Sequence, residues 1–354
     1  MFRPILTALA LAPSTTFALT ITLDYTYDDW FTNPSNPYGA IAQAALQAAA
    51  DDVSDLITQT LGAIDTNFVV GYTDPVTAGA QITADYQWLD PRDSSTTFTY
   101  NPTLAQDEVV VLIGAQTLGN FTWGEASPAV AQVQYQFAGA PADLAEALDI
   151  TEILANALFG RGGPITQSVN TTFTSINPNG QADLTFASVG GSVWFNDSPS
   201  NNSGRDAFTT HANYYHYDHT TPVGFGKIDL YSIALHEFVH LLGYGSGDNW
   251  INNVNGTDWE GSAVQNLLNS DGTDLVAPDG YHHADGLTGL GLEDGIERTT
   301  VLNPSPTTGQ RDQLTDLDAA FIEDIGYSTN VPVPEPGTGL LLLSSLTLFG
   351  RRNR

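Results

Sequence analysis

His236, Glu237 and His240 lie in the run Leu235-His236-Glu237-Phe238-Val239-His240-Leu241-Leu242-Gly243, an H-E-x-x-H pattern inside an apolar segment. On a helix, residues four apart share a face, so two imidazoles at this spacing can grip one metal ion while the carboxylate between them leans toward the water on that ion. The chemistry this predicts is metal-assisted hydrolysis with Glu237 as general base. Zinc is the expected metal. The chain has no cysteine, which removes thiolate sites and disulfides and leaves nitrogen and oxygen donors. All seven histidines fall between residues 211 and 283, a clustering that scattered structural histidines would not show.

A catalytic zinc usually has three protein ligands and an open fourth position, and the motif supplies two. The extended pattern H-E-x-x-H-x-x-G-x-x-H is matched as far as Gly243, but its last position is Ser246, a poor ligand. Asp248 is acidic but wrongly spaced, which leaves His282 and His283 as the downstream candidates. Tyr244, Tyr281 and His283 are the side chains that could assist an oxyanion. His211, His216, Asp218 and His219 precede the motif without fixed ligand spacing. They read as an exposed aromatic loop bordering the cleft rather than a second metal site.

The elements that must hold these groups can be outlined. Asp229 is a good N-cap for a motif helix running to Leu242, with Gly243 free to take the left-handed conformation that ends it. Leu235, Val239 and Leu242 then face the core, and His236 and His240 face the cleft. Ile41, Ala45, Leu46, Ala49, Val53, Leu56, Ile57 and Leu61 predict a long amphipathic helix over 39–64. β-branched runs at 67–72 and 108–114 predict strands, 141–159 a further helix, and 183–188 and 191–196 two more strands. The segment 183–196, just ahead of the motif helix, is expected to be the edge strand that takes an extended peptide by strand addition. The fold class this implies is α+β, with a twisted mixed sheet, a long N-terminal helix and the motif helix.

With 354 residues and 42% hydrophobic side chains the chain can bury a substantial core. Asp and Glu total 40 against 10 Lys and Arg, a formal charge of −30, which opposes nucleic acid and anionic membranes as partners. The acidity could recruit calcium, although no EF-hand pattern makes that specific.

Residues 1–18 combine Arg3, an apolar run and Thr16-Phe17-Ala18, which predicts a secretory signal cleaved after Ala18. One catalytic region over 19–328, with halves 19–180 and 181–328, should follow. At 329–354, a Val331-Pro332-Val333-Pro334-Glu335-Pro336 spacer leads to an apolar stretch near Gly339–Gly350 and then Arg351-Arg352-Asn353-Arg354. That stretch is short of the roughly 20 residues a membrane span needs, so no stable span is expected. The tail resembles the PEP-CTERM sorting signal of Gram-negative bacteria. The resemblance implies removal by an exosortase and delivery to the cell surface or extracellular matrix.

The stretch from Trp250 to Tyr327 resembles the C-terminal half of secreted bacterial zincins related to leishmanolysin-type metzincins, whose third histidine lies far from the motif helix. Trp250, Trp259-Glu260-Gly261-Ser262-Ala263, Asp279-Gly280-Tyr281-His282-His283-Ala284-Asp285-Gly286, Leu302-Asn303-Pro304 and Thr315 to Tyr327 carry it in order. It implies a zincin-like metalloprotease fold, zinc held by His236, His240 and His282, Glu237 as base, and a protein or peptide substrate. Leu302 stands where that family has a methionine, a volume-conserving exchange under the metal. The contrasting expectation is a catalytically silent binding protein on the same fold.

Overall fold

The computed structural model describes residues 19–64, 70–72, 80–119, 122–136, 161, 163, 165–171, 180–186, 188–200 and 204–331. The expected signal at 1–18, the expected tail beyond residue 331 and the helix expected at 141–159 lie outside these residues, and of the strand expected at 67–72 only 70–72 lies within them.

Alternation along one strand divides the interior in two. Strand β1 (Thr20–Asp24) enters first, and helix α1 (Gly39–Leu56) follows. An antiparallel layer comprises β2 (Val70–Tyr72), β3 (Ala80–Asp90), β4 (Asp93–Thr99) and later β7 (Val130–Gln136). The central sheet adds β5 (Glu108–Gln116), β6 (Gly124–Pro128) and, after the β8 (Ile165–Thr171) and β9 (Gly180–Phe186) ribbon, β10 (Gly190–Asn196). In β5, Val109, Val111, Ile113 and Ala115 point into the main core with the helices, while Val110 and Leu112 join Tyr86, Trp88 and Leu104 on the other side. A period of two thus places one strand between two apolar layers.

The central sheet runs β1-β5-β10-β6. β1, β5 and β10 are parallel, and β6 alone is antiparallel. The first half of the chain supplies three of these strands and the second half supplies β10, so the halves share one sheet. The expected edge strand is therefore corrected. Residues 180–186 pair with β8, residues 190–196 form the buried β10 inside the central sheet, and the edge on the β10 side is β6. The sequence Gly-Glu-Ala-Ser-Pro in β6 has no β-branched residue, and only its pairing with β10 makes it a strand.

After the short helix α2 (Phe208–His211) and the paired β11 (Tyr215–His216) and β12 (Ile228–Asp229), the motif helix α3 spans Leu230–Leu241. Helix α1 packs on α3 through a face rich in alanine, with Ala42, Ala45, Leu46, Ala49, Ala50 and Val53 buried. Alanines at i, i+3, i+7 and i+8 (Ala42, Ala45, Ala49 and Ala50) let the two helix axes come close. This helix ends at Leu56 rather than at 64. Ile57 is extended and bridges Thr329, Thr58 N–H donates to the Ser328 carbonyl at 2.9 Å, and Asn330 N–H donates to Leu56 at 3.1 Å. Pairing with the chain's later segment takes over from the helical ladder, and the paired chain continues to residue 330, past the expected boundary at 328. Ile41, expected in the core, is 45% exposed.

Beyond α3 lie α4 (Asp248–Ile251), the hairpin of β13 (Val254–Asn255) and β14 (Asp258–Trp259), and α5 (Ser262–Leu268). The ladder of β15 (Thr288–Leu290) with β16 (Glu297–Thr299) and the closing helix α6 (Asp316–Asp324) complete the described chain. Asp324 ties this half together. Its carboxylate accepts from Trp259 Nε1 at 2.9 Å and from the N–H groups of Ala263 and Val264 at 2.7 and 3.0 Å, capping α5. Gly261 is required beside it, since a Cβ there would sit 2.2 Å from Asp324 Oδ2. No helix of the described residues is long and apolar enough to cross a membrane.

Candidate metal centre

Asp229 caps the motif helix as expected, its carboxylate accepting from Ser232 N–H at 3.3 Å and from Ser232 Oγ at 2.9 Å. Arg311 binds both Asp229 oxygens at 2.9 Å, which fixes the cap to the segment that closes the cleft. Leu235, Val239 and Leu242 are buried, each contributing about 1.5–3 kcal/mol to the packing. Gly243 takes a φ of 90° and ends the helix. This core face turns His236 and His240 toward the cleft.

The two imidazoles are held by their Nδ1 atoms. His236 Nδ1 lies 2.7 Å from the Val301 carbonyl and His240 Nδ1 lies 2.8 Å from the Tyr244 carbonyl. A carbonyl only accepts, so each Nδ1 carries the proton and each Nε2 presents a lone pair. The third ring follows the same rule. His282 Nδ1 donates to Asp279 Oδ2 at 2.7 Å. The three histidines have ligand atoms within 4.8 Å of one another, and His236 Nε2 and His240 Nε2 are 3.1 Å apart. A tetrahedral zinc with bonds of 2.0–2.1 Å would space two such nitrogens at about 3.3 Å. Burial, reinforced for His236 by the neighbouring imidazoles, pushes the pKa of His236 well below the ordinary histidine value, and burial takes His240 down to about 4. Both rings are therefore neutral, and their facing lone pairs repel unless a cation lies between them. The donor set fits a metal ion, and among the described residues this is the one group that could hold one.

His282 and His283 diverge because their segment is extended. Val276 bridges His283, Ala277 N–H bonds to the His282 carbonyl at 2.8 Å, and Ala284 N–H bonds to Leu275 at 2.9 Å. Consecutive side chains then point to opposite faces. His282 faces the cleft. His283 is fully buried, with Nε2 2.6 Å from Tyr244 Oη and Nδ1 2.7 Å from Thr300 Oγ1, so neither nitrogen is free for a metal. The same contact withdraws Tyr244 and His283 from an oxyanion role, while Tyr281, 56% exposed, lines the cleft. Asp248 starts α4 and is not part of the histidine group.

Leu302 is fully buried. Its carbonyl accepts from His283 N–H at 3.0 Å, and the preceding Val301 carries the carbonyl that holds His236. Val301 is itself anchored: its N–H donates to Asp318 Oδ1 at 3.1 Å. Asp318 also completes a capping box with Thr315 at the start of α6. Trp250 Nε1 donates to the Gly280 carbonyl at 2.8 Å, steadying the Asp279–His282 turn.

Glu237 is 5% exposed, yet it lines the cleft and accepts no hydrogen bond from the described residues. Burial, with a smaller push from Glu125, raises its pKa well above the usual carboxylate value. Gly124 of β6 makes the room it occupies: a Cβ there would lie 2.9 Å from Glu237 Oε1 and 2.7 Å from Ile233 Cγ2. The cleft is about 540 Å³, with β6 as one wall, α3 as its floor, and Tyr281, His282 and the 301–312 segment opposite.

The other histidines do not form a metal group. His211, expected in an exposed loop, is 2% exposed, with Nε2 2.7 Å from the Asn196 carbonyl, Nδ1 on Tyr217 Oη and its ring stacked on Tyr215 at 4.4 Å. His216 Nε2 bonds to the Asp218 carbonyl at 2.8 Å. Gly124, Asp279, Asp312 and Asp318 were missed as working residues by the sequence reading. Only Asp279, three residues before His282, left a signal that could have been used. Comparison with known proteins finds no matching family model, curated protein or solved structure.

Proposed function

We propose that this chain is a zinc-dependent endopeptidase of zincin-like fold, exported by its N-terminal segment and sorted to the cell surface or matrix by its tail. The observation that carries the reading is the set of three imidazoles, each with its Nδ1 tied to an oxygen, whose remaining nitrogens converge beside the buried Glu237. Zinc held by His236, His240 and His282 would supply Lewis acidity toward a peptide carbonyl and toward water.

The chain's own residues do the rest. Glu237 accepts a proton from the attacking water on its carboxylate and delivers it to the leaving amine nitrogen. Its raised pKa suits a group that must both take and return that proton. The edge strand aligns the substrate. In the β6–β10 ladder, Trp123 bonds to Asn196 and Ala129 to Gly190, so by alternation Glu125 and Ser127 also face β10. Gly124 and Ala126 then direct their backbone N–H and C=O groups outward, where an extended peptide can pair with them. Pro128, next in that outward series, has no N–H and ends the template. Tyr281 supplies a hydroxyl on the far wall.

The test is hydrolysis of an unfolded protein substrate by the purified chain. Cleavage should stop with a chelator, return with one equivalent of zinc, and be lost in Glu237→Gln. Zinc binding without any cleavage would instead mark a silent binding protein.

A further inference from the structure

Two carboxylates besides Glu237 line the cleft, Glu125 on the edge strand and Asp312 on the opposite wall, and no lysine or arginine is among the described residues that line it. The two are not equivalent. Glu125 accepts a hydrogen bond from Trp194 Nε1 at 3.1 Å. The Asp312 side chain has neither a hydrogen bond nor an ion pair from the described residues, although burial pushes its pKa up to about 6. The cations nearest to it are committed elsewhere. Arg311 spans Asp229, and Arg298 pairs with Asp294 at 2.8 Å.

The same 301–312 segment brings Asn303 to the cleft, 9% exposed, with its Oδ1 lacking any donor while its Nδ2 is used by the Ser305 carbonyl at 3.1 Å. Asn303 Oδ1 is itself closed to solvent, so the Asp312 carboxylate is the acceptor this wall presents. Backbone geometry fixes its place relative to the metal site. Asp312 N–H donates to Ser232 Oγ at 2.8 Å, and Ser232 precedes His236 by one helical turn on the same face, about 6 Å along the axis. A side chain the length of lysine, entering from a residue beside the cleaved bond, reaches that point.

We propose that Asp312 is a specificity-determining residue, which selects peptides carrying a lysine or arginine next to the cleaved bond. The proposal rests on the peptidase reading above. A half-buried carboxylate that meets a substrate cation gains a charge-assisted bond, whereas a neutral side chain covers it and leaves it unpaired.

Cleavage sites in a digest of unfolded proteins, mapped by mass spectrometry, test it. Wild type should show lysine and arginine enriched about tenfold at one flank of the cleaved bond. Asp312→Asn, at wild-type zinc content and circular dichroism, should lose that enrichment, and Asp312→Lys should shift it toward acidic residues. No basic enrichment in wild type, or the same enrichment in Asp312→Asn, overturns the proposal. If no bond is cleaved at all, the peptidase reading fails by itself. Polarisation binding of fluorescent lysine-containing and leucine-containing peptides to the zinc-loaded chain then decides. About tenfold preference for the lysine peptide, lost in Asp312→Asn, supports Asp312 as the cation site, and equal binding overturns it.

Discussion

The three histidines of the candidate metal centre and two that precede the motif helix, His211 and His216, use their rings in opposite ways. In His236, His240 and His282, each Nδ1 is tied to an oxygen and each Nε2 is left to converge on its neighbours. In the earlier group, His211 uses both ring nitrogens within the protein core and His216 turns its Nε2 back to its own loop. The difference shows that histidine density does not make a metal site. What makes one is a partner for Nδ1 that leaves Nε2 unprotonated and aimed. Adjacent His282 and His283 repeat the contrast on opposite faces of one extended segment.

The largest expected effect separates chemistry from metal binding within the first group. Glu237→Gln should lower peptide hydrolysis by about a thousandfold, within the range for loss of a general base, with zinc content unchanged by elemental analysis. Next, His282→Ala should abolish tight zinc binding while its melting profile stays that of the metal-free wild type. His283→Ala should instead lose about 3 kcal/mol of stability in denaturant unfolding, since it leaves Tyr244 and Thr300 without their buried partner.

A smaller effect sharpens the role of the Nδ1 partners. Asp279→Asn should weaken zinc affinity 10–100-fold in competition with a chelator, because the carboxylate that orients the His282 ring is gone.

For the core histidine, pH is the probe. Burial takes His211 down to about 4, below its unfolded value, so the unfolded state binds the extra proton between those values. Stability contributed by neutral His211 is complete above about pH 6.5 and is lost as pH falls toward 4. The difference in unfolding free energy between wild type and His211→Gln should therefore shrink from pH 7 to pH 5, with zinc content alike. The smallest effect is His216→Ala, within about 0.5 kcal/mol and with no change in zinc content.

Local signals made much of the site readable. The Asp229 cap, the Gly243 stop and the apolar face of Leu235, Val239 and Leu242 each depend on residues within a turn or two, and all stand where expected. His282 was legible as one of two neighbours, and the alternation of an extended segment separates them. What could not be read depends on distant pairing. β6 has a sequence of poor strand formers and becomes the edge only by pairing with β10. Helix α1 stops at Leu56 because residues 328–330, far along the chain, take over its backbone groups. Gly124 looks like any turn glycine until Glu237 is found against it.

The central claim is that His236, His240 and His282, and no other histidine, hold the metal. X-ray absorption at the zinc edge of the zinc-loaded chain tests it most directly, compared across wild type, His282→Ala and His211→Gln. The account predicts three imidazole nitrogens at about 2.0–2.1 Å in wild type and in His211→Gln, and fewer in His282→Ala. An unchanged imidazole count in His282→Ala, or a reduced one in His211→Gln, would contradict it.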